Sequence, residues 1–161
     1  MTETSGGDAQ RLLYLEDLHV GQRYTTRTHT LDESQIVSFA SQFDPQTFHL
    51  DAAAARDTVF GGLAASGWHT ASITMRLLVT DGLPIAGGLV GRAAELSWPK
   101  PTRPGDALRV ESEVLEIIPS RSSPDRGIVK VRSETRNQRD EVVQVLVATM
   151  VVPRRPGERE G

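Results

Sequence analysis

The stretch Gly67-Trp68-His69-Thr70-Ala71-Ser72-Ile73-Thr74-Met75-Arg76-Leu77-Leu78-Val79 decides the fold. Its apolar residues, Ala71, Ile73, Met75, Leu77, Leu78 and Val79, are spread around nearly the whole circumference of a helix. That distribution predicts a helix buried on most sides rather than an amphipathic one. Asp81-Gly82-Leu83-Pro84 ends it. Downstream the chain reads as extended in four runs, 90–98, 107–118, 127–136 and 142–152, rich in β-branched residues. Proline-rich polar turns at 99–106 and 120–126 separate the first three, and Asn137-Gln138-Arg139-Asp140 can close a hairpin before the last. One buried helix followed by an antiparallel meander is an α+β pattern, in which the sheet buries one face against the helix.

Working upstream, residues 52–56 form a short helix and Phe60-Gly61-Gly62 a loop. Asp32 caps a helix in which Ile36, Val37, Phe39, Ala40 and Phe43 recur at helical spacing, until Pro45 breaks the pattern. Before it, threonines alternating with polar residues over 23–31 read as one strand.

The bulk properties bound what this domain does. At 161 residues it suits a single core, and 38% hydrophobic with 24% charged residues places it among globular proteins. A net charge of −3 supplies no positive field for nucleic acid or for an anionic membrane. The absence of cysteine removes disulfides, thiolate metal sites and cysteine nucleophiles, and fits a reducing compartment, the cytoplasm. Residues 1–10 and 154–161 are poor in apolar side chains and are expected to be flexible tails around a domain at 11–153, with no signal peptide or membrane span.

The chemistry is concentrated in Phe39-Ala40-Ser41-Gln42-Phe43-Asp44-Pro45-Gln46-Thr47-Phe48-His49-Leu50-Asp51. A carboxylate and an imidazole five residues apart in a proline-broken loop can converge on one water and move its protons. On spacing alone, a turn-capping Asp44 and a hydrogen-bonded loop His49 is the commoner meaning. His49-Leu50-Asp51 lacks further ligands for a metal. His69 reads as a satisfied core histidine, and His19 and His29 as surface residues. Trp98, Lys100 and Arg103 fit either a nucleotide-bearing ligand or, more often, a solvated charged loop.

The segment resembles the signature of the MaoC-like dehydratases and (R)-specific enoyl-CoA hydratases, where Asp, a polar residue, Pro and His follow the first helix. Phe60-Gly61-Gly62-Leu63-Ala64-Ala65-Ser66-Gly67-Trp68-His69 resembles the family's lead into its central helix, and Pro101-Thr102-Arg103-Pro104-Gly105-Asp106 its strand-connecting turn. Gln46, Thr47 and Ser66 stand where asparagine, proline and histidine are usual.

The resemblance implies a single hot-dog domain, a curved antiparallel sheet wrapped around a central buried helix, paired as a homodimer or dimer of dimers. It implies reversible hydration of a 2-enoyl-CoA to the (R)-3-hydroxyacyl-CoA with no cofactor and no metal. Asp44 and His49 are then the catalytic pair, the Gly67 amide a donor to the thioester oxygen, and Ser66, Gln46 and Trp68 substrate-binding neighbours. Two other readings share the fold: an acyl-CoA thioesterase, and a non-catalytic acyl-CoA-binding subunit whose loop at Thr47 holds Asp44 and His49 apart.

Overall fold

The computed structural model describes residues 11–157. Six strands form one antiparallel sheet: β1 (Arg23–Thr25), β2 (His29–Thr30), β3 (Val90–Ser97), β4 (Ala107–Pro119), β5 (Arg126–Arg136) and β6 (Val142–Pro153). Their order is β1-β4-β5-β6-β3, with β2 also on β4. The helices are α1 (Glu33–Phe43), α2 (Thr47–Leu50), α3 (Ala52–Ala55) and α4 (Gly67–Leu77). All four long strands fall on the runs expected from sequence.

Alternation along those strands turns one face inward. Leu108, Val110 and Val114 of β4, Val129 and Val131 of β5, and Val143 and Leu146 of β6 join Ile73 and Leu77 of α4 in one buried cluster. Register shifts at Gly91/Ala93, Val114/Glu116 and Thr135/Arg136 are bulges, which sharpen twist and bend the sheet around the helix. Asp32 caps α1 by accepting the Gln35 amide at 2.8 Å, while Gln35 returns a bond to the Asp32 backbone.

Two expectations need correction. The stretch 23–31 is two short strands, because Thr26 leaves the ladder: its amide bonds the Val110 carbonyl and its Oγ1 accepts from the Val110 amide. The central helix is not buried all round. Thr70, Ile73, Thr74 and Leu77 face the core, whereas Trp68, Met75 and Val79 are 59%, 46% and 59% exposed. Regular α-helix also stops at Leu77 and widens into a π-turn, Leu78–Gly82, with the Leu83 amide bonded to the Leu78 carbonyl.

Residues 154 and 155, just past β6, make contacts of their own. Arg154 donates its amide to the Asp125 carbonyl, and Arg155 bonds Glu16 through its amide and both Asp17 oxygens at 2.6 Å through its guanidinium. The Arg155–Asp17 ion pair links residues 138 apart in the chain. The expected tails at 1–10 and 158–161 lie outside the described residues.

Candidate active site

Pro45 ends α1, and the chain turns so that the Gln46 amide bonds the Asp44 carbonyl before one helical turn, α2, begins at Thr47. That turn carries His49 into the core, where it is 4% exposed, and places its Nε2 3.3 Å from Asp44 Oδ2. Thr47, in place of the usual proline, does not hold the two apart.

Each group is fixed from its far side. His49 Nδ1 lies 2.6 Å from the Ala64 carbonyl oxygen, which can only accept, so Nδ1 carries the proton. Nε2 is therefore the nitrogen that faces Asp44. Gln46 Nε2 donates to Asp44 Oδ1 at 2.5 Å, and the Ser66 hydroxyl donates to Oδ2 at 2.7 Å while accepting from the Trp68 amide. Burial alone raises the Asp44 pKa, but the Gln46 and Ser66 bonds and the neighbouring His49 outweigh it and hold the carboxyl below its ordinary value. Ionised Asp44 thus stabilises the fold above the unfolded carboxyl's range, and that contribution is lost as pH falls through the folded pKa.

Asp44 Oδ2 and His49 Nε2 face each other across 3.3 Å. The pair opens on a cavity of about 350 Å³ lined also by Phe60, Gly67, Trp68, Trp98 and Thr102. Gly67 begins α4, where the first amides precede any intrahelical bond. Its lack of a side chain is required: a Cβ there would meet Trp98 Cε2 at 2.7 Å.

Other sequence candidates fall differently. Ser66, expected beside substrate, has no exposed surface, so its hydroxyl serves Asp44. Lys100 pairs with Glu141. Arg103 bonds the carbonyls of Phe60 at 2.5 Å, Gly62 at 3.1 Å and Leu63 at 3.2 Å, leaving little of its guanidinium for a phosphate. It is a latch on the loop that supplies Ala64 to His49, and sequence reading missed it. Its own turn is set by Asp106, which accepts the Arg103 amide, and by Gly105 at φ +86°. His69 is buried and stacks on Phe39 at 4.5 Å, but its Nδ1 finds no hydrogen-bond partner, so it is not the satisfied histidine expected. Burial, with His29 nearby, pushes it down to about 4 and keeps it neutral. Among the described residues no three His, Asp or Glu side chains converge as a metal-binding group.

With this geometry in place, comparison with known proteins is informative. The model of the MaoC like domain matches residues 17–137. The chain belongs to the MaoC-like dehydratase family. Membership makes it a hydro-lyase and accounts for the hot-dog arrangement of sheet and helix. A MaoC-like dehydratase of Rhodospirillum rubrum superposes with a TM-score of 0.88 at 62% identity, over 89% of this chain and 99% of the other. The (R)-hydratase PhaJ1 of Pseudomonas aeruginosa superposes at 0.71 with 29% identity, over 89% and 88%. In sequence, a 3-hydroxybutyryl-CoA dehydratase of Methylorubrum extorquens is 37% identical over 112 residues, 69% of each chain.

The grip on Asp44 has a measurable consequence. Ser66→Ala removes one hydrogen bond that favours the ionised form, so the Asp44 side-chain carboxyl, followed by its NMR carbon shift, titrates at higher pH than in the wild type. A midpoint left where it was would show that Ser66 does not hold the carboxylate.

Proposed function

We propose that this MaoC-like dehydratase reversibly hydrates a 2-enoyl-CoA thioester to the (R)-3-hydroxyacyl-CoA, with Asp44 and His49 as the catalytic pair. The observation that carries the reading is the 3.3 Å approach of Asp44 Oδ2 to His49 Nε2, with His49 Nδ1 already committed to Ala64. A shared water donates to both and presents its lone pair to Cβ of the alkene. Asp44 takes a proton as the new C–O bond forms, and the alkene pair moves onto the thioester as an enolate. The proton returns to Cα by way of His49 Nε2, so the net addition is one water. The developing enolate oxygen lies against the Gly67 amide, where the α4 N-terminus favours negative charge. Gln46 and Ser66 keep Asp44 ionised and aimed, and Trp68 contributes to the cavity wall. The thioester is the electron sink, so these steps call on no cofactor.

The relatives support the substrate class: one is named for dehydrating 3-hydroxybutyryl-CoA, another as an (R)-hydratase. The two alternatives read from sequence lose ground on the same geometry. The close pair disfavours a non-catalytic subunit, and relatives named for dehydration and hydration favour this chemistry over a thioesterase. No helix among the described residues is long and apolar enough to cross a membrane, and with no cysteine to protect the reading places the enzyme in the cytoplasm.

A homodimer completes the proposal. Trp68 and Met75 of α4, with Val79 of the π-turn that follows it, leave an exposed apolar stripe, and β3 ends the sheet with nearly all its side chains exposed. Pairing two copies through this face covers both an open strand edge and the stripe.

Asp44→Asn and His49→Ala are each expected to cut hydration of the best 2-enoyl-CoA by about a hundredfold or more, as removal of a positioned acid–base group does, with circular dichroism unchanged. Near-normal turnover by either folded variant would remove that residue from the pair. Sedimentation of the wild type at micromolar concentration is expected to give a dimer; a monomer contradicts the proposed assembly.

A further inference from the structure

Gln144 of β6 has no exposed surface, and neither Asp44 nor His49 uses it. An amide in the core between sheet and helix costs free energy unless every polar atom is met. Here each one is. Gln144 Oε1 accepts from Trp98 Nε1 at 3.0 Å, and Gln144 Nε2 donates to Thr74 Oγ1 at 3.0 Å. Thr74 Oγ1 donates to the Thr70 carbonyl at 2.9 Å, so Thr135 Oγ1, 2.6 Å away, is the donor to Thr74. An indole N–H only donates, so the amide must turn its oxygen toward Trp98 and its nitrogen toward Thr74. Flipping it breaks both bonds.

The relay pins a side chain that packing alone would leave mobile. Trp98 follows the end of β3 and is 41% exposed. Its ring nonetheless presses on Gly67, within 3.0 Å of where a Cβ would stand, and meets Trp68 edge-on with centroids 5.6 Å apart. Trp98 is therefore a fixed wall of the cavity, beside the amide assigned to the thioester oxygen. At about 350 Å³, shared with Phe60 and Trp68, that cavity lies near the small end of ligand sites.

We propose that Trp98, held by Gln144, is the specificity-determining wall that restricts this enzyme to short-chain acyl groups. The proposal rests on the hydratase reading above. A rigid aromatic wall excludes a longer chain by overlap, where a free side chain would swing aside.

The test compares kcat/KM for crotonyl-CoA and 2-octenoyl-CoA in the wild type, Trp98→Ala, Trp98→Phe and Gln144→Leu, with binding of butyryl-CoA and octanoyl-CoA measured alongside. The wild type is expected to prefer the short substrate. Trp98→Ala should raise the long-to-short ratio by roughly tenfold or more, the scale on which a pocket discriminates methylenes. Trp98→Phe should raise it less, and carries the test if the alanine variant does not fold. Gln144→Leu frees the Trp98 indole N–H, whose proton should exchange faster with solvent, and should move the ratio the same way, whereas a merely structural role for Gln144 would leave the ratio unchanged. An unchanged preference in turnover and binding in the folded Trp98 variants overturns the proposal, as does a wild type that prefers the longer chain. Should Trp98→Ala gain octanoyl-CoA binding in a protein that hydrates neither substrate, the wall stands and the hydratase reading falls.

Discussion

The hydrogen bond from His49 Nδ1 to the Ala64 carbonyl, 2.6 Å long, governs the candidate site. It commits one imidazole nitrogen to the backbone, and so fixes which one faces Asp44. Much of the surrounding structure serves to place that one carbonyl. Arg103 gathers the three carbonyls just before it, the Ala64 amide bonds the Phe48 carbonyl, and the Ala65 amide bonds Thr102. Two residues on, Ser66 both caps α4 and grips Asp44. One segment, 60–67, thus positions the imidazole, the carboxylate and the start of the central helix. The His49 bond is buried and those of Arg103 and Ser66 are partly buried, so a missing partner costs more than it would in water.

The sheet was legible because period-two alternation and turn chemistry are local. The runs 107–118 and 142–152 differ from β4 and β6 by one residue at most. The places where reading failed depended on distant partners. Thr26 leaves its strand because of Val110, and Arg155 meets Asp17 from 138 residues away. The apolar circumference of α4 was real, but apolarity says only that a residue gains by burial, not that this chain supplies the cover. Trp68, Met75 and Val79 are exposed for that reason.

The site divides in the same way. Asp44 and His49 were readable because both lie in one proline-broken loop, and Gly67 because a glycine opens an otherwise unbroken helix. Arg103 carried no comparable mark. A basic residue in a turn suggests a phosphate, and only the fold shows its guanidinium filled by backbone oxygens. Gln144 sits among valines in β6 with nothing to set it apart, since its partners lie 46 and 70 residues away. Residues that do chemistry tend to sit in recognisable local patterns, whereas those that hold them are recruited wherever the fold brings a suitable donor or acceptor.

The central claim is that the water shared by Asp44 and His49 attacks the alkene carbon of a bound enoyl thioester, not its carbonyl. The most direct measurement is the product formed from crotonyl-CoA, resolved by chiral chromatography with free thiol assayed in the same reaction. The account predicts (R)-3-hydroxybutyryl-CoA with the thioester intact. Release of free CoA without a hydroxyacyl product would move the attack to the carbonyl and contradict it, and the (S) product would show that substrate crosses the pair in the opposite orientation.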